Sequence, residues 1–100
     1  MFRHCVMLKF TTEATDEQKD STLKGILDLP NHIDEIVSYS AGFNRGTRSD
    51  NYDLVAVGDF LSESDYAIYA EHAKHQEVIS SLLAPIIQDR TAIQYFVENQ

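Results

Sequence analysis

Residues 52–60 read YDLVAVGDF. Val55 and Val57 alternate with Leu54, Ala56 and Phe60, so the strand predicted by this period is apolar on both faces. The opening stretch, FRHCVMLKF at 2–10, repeats the pattern. Phe2, His4, Val6, Leu8 and Phe10 share one face, while Cys5 and Met7 lie on the other between Arg3 and Lys9. An antiparallel sheet with helices on one side only commonly keeps its second face polar. Here that face needs a cover. A second copy packing sheet on sheet is the simplest one, giving a two-fold homodimer with a shared, barrel-like interior.

Working outward from these strands, the chain reads β-α-β-β-α-α-β. Thr15 and Gln18 form a capping box, Asp16 and Glu17 suit a first turn, and Leu23, Ile26 and Leu27 supply an apolar stripe that Pro30 closes. Residues 33–43 are expected as the second strand, diluted by Asp34, Glu35, Ser38 and Ser40. The polar run NRGTRSDN at 44–51 is a loop, with Gly46 as its turn residue. Arg45 and Arg48 there are either solvated loop charges or partners for an anion. The short link makes strands two and three an antiparallel hairpin. Ser62 precedes Asp65 by three residues, as an N-cap should, and opens a helix carrying Tyr66 and Tyr69. From about His75 to Gln88 a longer helix is expected on the stripe Val78, Ile79, Leu82, Leu83, Ile86 and Ile87, bent or broken near its end by Pro85. TAIQYFV at 91–97 is the fourth strand. The sum is an α+β fold with a four-stranded antiparallel sheet and helices on one face.

One hundred residues make one domain, near the size at which a core suffices without disulfides. The lone Cys5 reads as a small buried hydrophobe in a reducing compartment, which gives a cytoplasmic expectation. Arg3, His4 and Lys9 interrupt the opening, so no secretory signal is expected there, and no run reaches membrane-spanning length. The formal charge of -8 disfavours phosphate backbones and anionic lipid, so neither nucleic acid nor membrane is expected as a partner.

Tyr69, His72 and His75 form a Tyr-x-x-His-x-x-His run, the one place where several proton-moving groups gather. On adjacent helical turns they could grip a polar substrate. Equally, His72 could sit at a helix C-terminus for its dipole, and Tyr69 could be a core aromatic with its hydroxyl at the rim. His4, on the face of Val6 and Leu8, points toward the helix side, either to a hydrogen bond within the core or to a cavity. His72 and His75 lack the i, i+4 spacing of familiar metal pairs, so no metal is expected. His32, beside Pro30, reads as surface.

Taken together, His4 with Val6, Leu8, Lys9 and Phe10, Leu29-Pro30, Gly42-x-Asn44, Tyr52-Asp53, Phe60-x-Ser62 and the Tyr69/His72/His75 run resemble the stress-responsive dimeric α/β-barrel (Dabb) domains over essentially the whole chain. The resemblance implies a ferredoxin-like subunit, homodimerisation through the sheets and upregulation under stress. A plant relative is a polyketide cyclase that uses neither metal nor organic cofactor, so no cofactor is expected. By that resemblance His75 and Tyr69 are the catalytic acid/base pair, His4 lines the cavity wall, and His72 belongs to the same run. Many members carry Pro after the first His of the pair. Here it is Ala73, which removes a fixed turn between the last two helices.

Two functions are then expected. One is a binding or stress-protective homodimer whose pocket takes small apolar or aromatic molecules. The alternative is a cyclase-like or lyase-like enzyme in which His75 removes a proton next to a carbonyl, Tyr69 donates to the developing oxyanion, and Val6, Leu8, Phe60 and Leu82 exclude water. The same apolar residues are also what a packed core requires. A haem-handling or oxygenase activity ranks last, because the chain has no Trp and no evident iron ligand.

Overall fold

Period-2 alternation makes Phe2–Phe10 a strand, β1, with Phe2, His4, Leu8 and Phe10 buried on one face. The computed structural model describes residues 1–98. Helix α1, Asp16–Asp28, opens on Thr15, whose hydroxyl accepts from the Gln18 amide while the Gln18 side chain accepts from the Thr15 N–H. This reciprocal box is the one read from the sequence. Ile26 faces the core, but Leu27 is exposed and the buried position one turn back is Thr22. The Thr22 hydroxyl lies 2.9 Å from the Gln18 carbonyl and 3.2 Å from that of Leu82, so a polar side chain is tolerated where an apolar stripe was expected. A short 3-10 turn, Leu29–Asn31, ends the segment at Pro30.

Strand β2 is Ser38–Phe43, shorter than the expected 33–43. Ile33 is instead buried in a turn, its N–H bonded to the Leu29 carbonyl, and pairing with β3 starts only where the Val37 N–H reaches the Asp59 carbonyl. Strand β3, Leu54–Phe60, follows the polar loop, in which Asn44 Oδ1 accepts from the Gly46 N–H and Arg48 pairs with Asp50 in solvent. Helix α2, Glu63–Glu71, opens on Ser62, whose hydroxyl accepts from the Asp65 N–H.

The last helix departs most from expectation. Helix α3 spans Ala73–Val78 and widens into a π-turn over Ile79–Leu83. It stops there rather than near Gln88. Pro85 cannot continue it, so Ile86 is buried in a turn and Ile87 already pairs with Phe10 at the start of β4, Ile87–Phe96. The π-turn packs against α1 at Gly25, where an added Cβ would sit 2.5 Å from the Leu82 side chain.

The sheet order is β2-β3-β1-β4 and all pairings are antiparallel, the ferredoxin-like arrangement. Helices cover one face, and Phe60, Leu29, Ile33, Leu54 and Ile86 are almost wholly buried beneath them. Across the opposite face the register aligns Cys5 with Val57 and Ile93, and Met7 with Val55 and Thr91. Met7, Val55 and Ile93 are 43%, 40% and 63% exposed in the single chain. The centre of that face is apolar, as the reading of both strands requires, and it is flanked by the Arg3–Asp59 ion pair.

Candidate functional site

The break between α2 and α3 decides where the site residues point. His72 ends one helix and caps the next, with φ -62° and ψ 138°. A proline at the following position would impose this extended conformation. Here a side chain does it instead: His72 Nδ1 accepts from the Lys74 N–H at 3.0 Å. The missing Pro is thus replaced by an N-cap, and the fixed turn survives. It follows that Ala73→Pro should be tolerated, since Ala73 is the first residue of α3 and its neighbour already has the required geometry. The expected outcome is a gain of about 0.4–1 kcal/mol in urea unfolding, whereas a loss would show that the joint differs from this geometry.

The joint brings His75 back against Tyr69, with ring centroids 4.4 Å apart. Nδ1 of His75 lies 3.0 Å from the Ala70 carbonyl. Since a carbonyl can only accept, Nδ1 carries the proton, and Nε2 of the neutral ring is left as an acceptor or base. Burial lowers the His75 pKa, and the charges of Arg90 and His72 lower it further against the pull of the Ala70 bond. The neutral, basic form therefore prevails at neutral pH.

Tyr69 is buried and its hydroxyl is 2.8 Å from that of Tyr39 on β2. Burial, with Tyr39 alongside, holds the Tyr69 phenol well above its ordinary pKa, so it is a hydrogen-bond donor and not a phenolate. One proton suffices for the bond between two hydroxyls. With Tyr39 donating, the Tyr69 proton is free for a third group. On β1, His4 is 4% exposed and its Nδ1 accepts from the Gln94 amide at 2.8 Å, leaving the proton on Nε2. Burial first, then the charges of Arg90 and His75, lower its pKa to about 4.

These groups share a cavity of about 80 Å³ between sheet and helices. His4, Val6, Leu8, Tyr69 and His75 all line it, as do Tyr39, Tyr66 and Arg90. Three expected members are placed elsewhere. His72 is the helix cap, Leu82 packs on α1, and Phe60 lies fully buried with its ring 5.0 Å from that of Tyr69. The volume accommodates a few water-sized groups, below the several hundred Å³ of a drug-sized ligand site. Among the described residues no group of three or more His, Cys, Asp or Glu is arranged to hold a metal, and no helix is long and apolar enough to cross a membrane.

Tyr39, Arg90 and Gln94 were not singled out from the sequence. Tyr39 sits in the diluted second strand and Arg90 just before the expected start of the fourth. Gln94 could have been found, since strand alternation places it on the face of an inward-pointing His.

The element order and sheet topology place the chain in the class of ferredoxin-like α+β subunits. Within it, this chain belongs to the stress-responsive A/B barrel domain (Dabb) family, whose model matches residues 2–97. A dimeric ferredoxin-like protein of unknown function from Thermobifida fusca superposes with a TM-score of 0.87 at 27% identity, covering 96% of this chain and 90% of that one. The hydroxynitrile lyase of Passiflora edulis gives 0.86 at 17% identity, over 99% and 94% of the two chains. A Dabb family protein of Mesorhizobium loti gives 0.81 at 15%, over 98% and 97%. No curated protein matched the sequence.

Proposed function

We propose that the chain acts as a homodimer, joined through its bare sheet faces, in which each subunit binds a small carbonyl compound in the cavity beneath α2 and α3. The observation that carries this reading is the fixed orientation of His75, whose Nδ1 is committed to Ala70 while Nε2 stays available beside Tyr69. The dimer is supported by the apolar exposure of Met7, Val55 and Ile93 and by the dimeric description of the Thermobifida relative. Response to stress rests on the family's description alone.

The same observation favours a second reading, acid-base catalysis without a cofactor. His75 Nε2 would take a proton next to the carbonyl or from a hydroxyl, and Tyr69, assisted by Tyr39, would donate to the oxygen on which charge develops. Val6 and Leu8 would keep water away. The Passiflora protein supports this by showing lyase chemistry on the same fold. The cavity volume favours a small aldehyde or ketone, or a cyanohydrin of that size, over a polyketide chain.

Two measurements test the pair of readings. Sedimentation should show a dimer that Ile93→Lys converts to monomer, because a charge would be buried in an apolar interface. A monomeric wild type at micromolar concentration would remove the assembly. Small aldehydes and cyanohydrins should be screened for binding and turnover, with His75→Ala as control. If catalysis occurs, the variant should keep its fold and lose about 10²–10⁴-fold in rate. Activity should fall on the acid side only below the ordinary His value of about 6.5, because the His75 pKa is lowered. Binding without turnover would leave the first reading alone.

A further inference from the structure

We propose that Arg90 makes this cavity selective for small ligands that carry a carboxylate; the inference rests on the cavity being a binding site, as read above. Arg90 stands opposite Leu8 in the β1–β4 register and so shares the helix-covered face with His4 and Leu8. It lines the cavity with Tyr39, Tyr69, His4 and His75. None of the lining residues is acidic, although acidic residues outnumber basic ones 16 to 8 in the chain. Among the described residues the ion pairs involve Arg3, His32, Arg48 and Lys74, and none involves Arg90. Its chain neighbour Asp89 aligns with Lys9 on the opposite face, where its carboxylate takes the Tyr52 hydroxyl at 2.8 Å. The nearest acid in sequence is therefore engaged elsewhere.

Arg90 lines the cavity but is exposed, so its guanidinium is held by water rather than by a protein carboxylate and can exchange that water for an entering anion. The surrounding groups suit such an anion. His4 and His75 are held neutral, partly by Arg90 itself, so neither competes with it for the charge. The His4 Nε2–H and the Tyr39–Tyr69 pair supply donors. A single guanidinium and about 80 Å³ suit a compact, planar monoanion better than a phosphate ester. The ligand class is a short-chain carboxylic acid, with the carboxylate on Arg90 and the remaining carbon atoms toward Val6 and Leu8.

The test is an NMR titration of the full chain with propionate and with its neutral isostere propionamide, in wild type, Arg90→Gln and Arg90→Lys. Propionate should shift the resonances of His4, Val6 and Tyr39 and bind about tenfold more tightly than propionamide. Arg90→Gln should abolish the preference while propionamide binding persists, and Arg90→Lys should keep part of it. Equal affinities in wild type, or a preference that survives Arg90→Gln, overturn the role of Arg90 and leave the cavity reading standing. If neither compound perturbs any cavity resonance, both the carboxylate site and the small-molecule cavity fall together. Since the wild-type comparison decides on its own, a variant that failed to fold would not shield the proposal.

Discussion

Taking the protein from pH 7 to pH 4 is expected to cost about 3 kcal/mol of stability through His4, whose pKa is lowered to about 4. In the unfolded chain the ring titrates near its ordinary 6.5, so it takes up a proton first there. The contribution is fully present above about 6.5, declines as the pH falls, and is gone once the folded-state pKa near 4 is passed. Burial is the main cause, and the charges of Arg90 and His75 add to it. The lowered pKa of His75 acts in the same direction, so the measured loss should exceed that from His4 alone. Urea midpoints at fixed protein concentration, from pH 7.5 to 4, give the measurement for wild type and His4→Gln. Glutamine removes the titrating group and keeps a polar partner for Gln94. The variant's stability should vary less with pH, and coincident profiles would exclude His4 as the source.

Phe60→Ala should be the most damaging single truncation, costing about 3–5 kcal/mol. Phe60 has 0% exposure at the end of β3, and its ring meets Tyr69 at 5.0 Å and Tyr66 at 5.6 Å. Removing it opens a void directly beneath the two α2 aromatics. The loss should therefore appear twice: in the unfolding midpoint, and in Tyr69, which would lose the support that keeps its hydroxyl against Tyr39. Phe60→Leu retains most of the volume and should cost far less. Unfolding must be compared at equal concentration, because a dimer's stability depends on it. A loss below about 1 kcal/mol for the alanine variant would mean that the ring is not the packing centre described.

The strands were legible because their signal is local. Two faces of β1 and β3 carry apolar residues in strict alternation, and the sheet places Cys5, Met7, Val55 and Val57 together on the uncovered side. Caps were legible for the same reason: Thr15 with Gln18, and Ser62 with Asp65, satisfy amides three residues away. The 3.6-residue stripe through Ile87 misled, because Pro85 ends the helix and the next apolar residues serve a turn and then a strand. Helix and strand periods cannot be told apart over so few residues. Tyr69 and His75 were picked out by their proton-moving side chains and His4 by strand alternation, and all three line the cavity. Arg90 and Tyr39 were not legible, since what matters about them is register across β1–β4 and a hydroxyl pair spanning sheet and helix. His72 does not line the cavity and serves instead as an acceptor for α3, not as a charge on the end of α2.

Tyr69 and His75 ride on different helices, and one residue, His72, joins them. The spacing between the two groups is therefore governed by a single pair of backbone angles, not by the rigid pitch of one helix. Loss of the imidazole that stabilises that joint would re-aim His75 toward or away from Tyr69 while leaving every atom that lines the cavity chemically unaltered, whereas a proline at residue 73 would hold the present aim. How closely these two rings converge is thus set by a position that does not itself line the cavity.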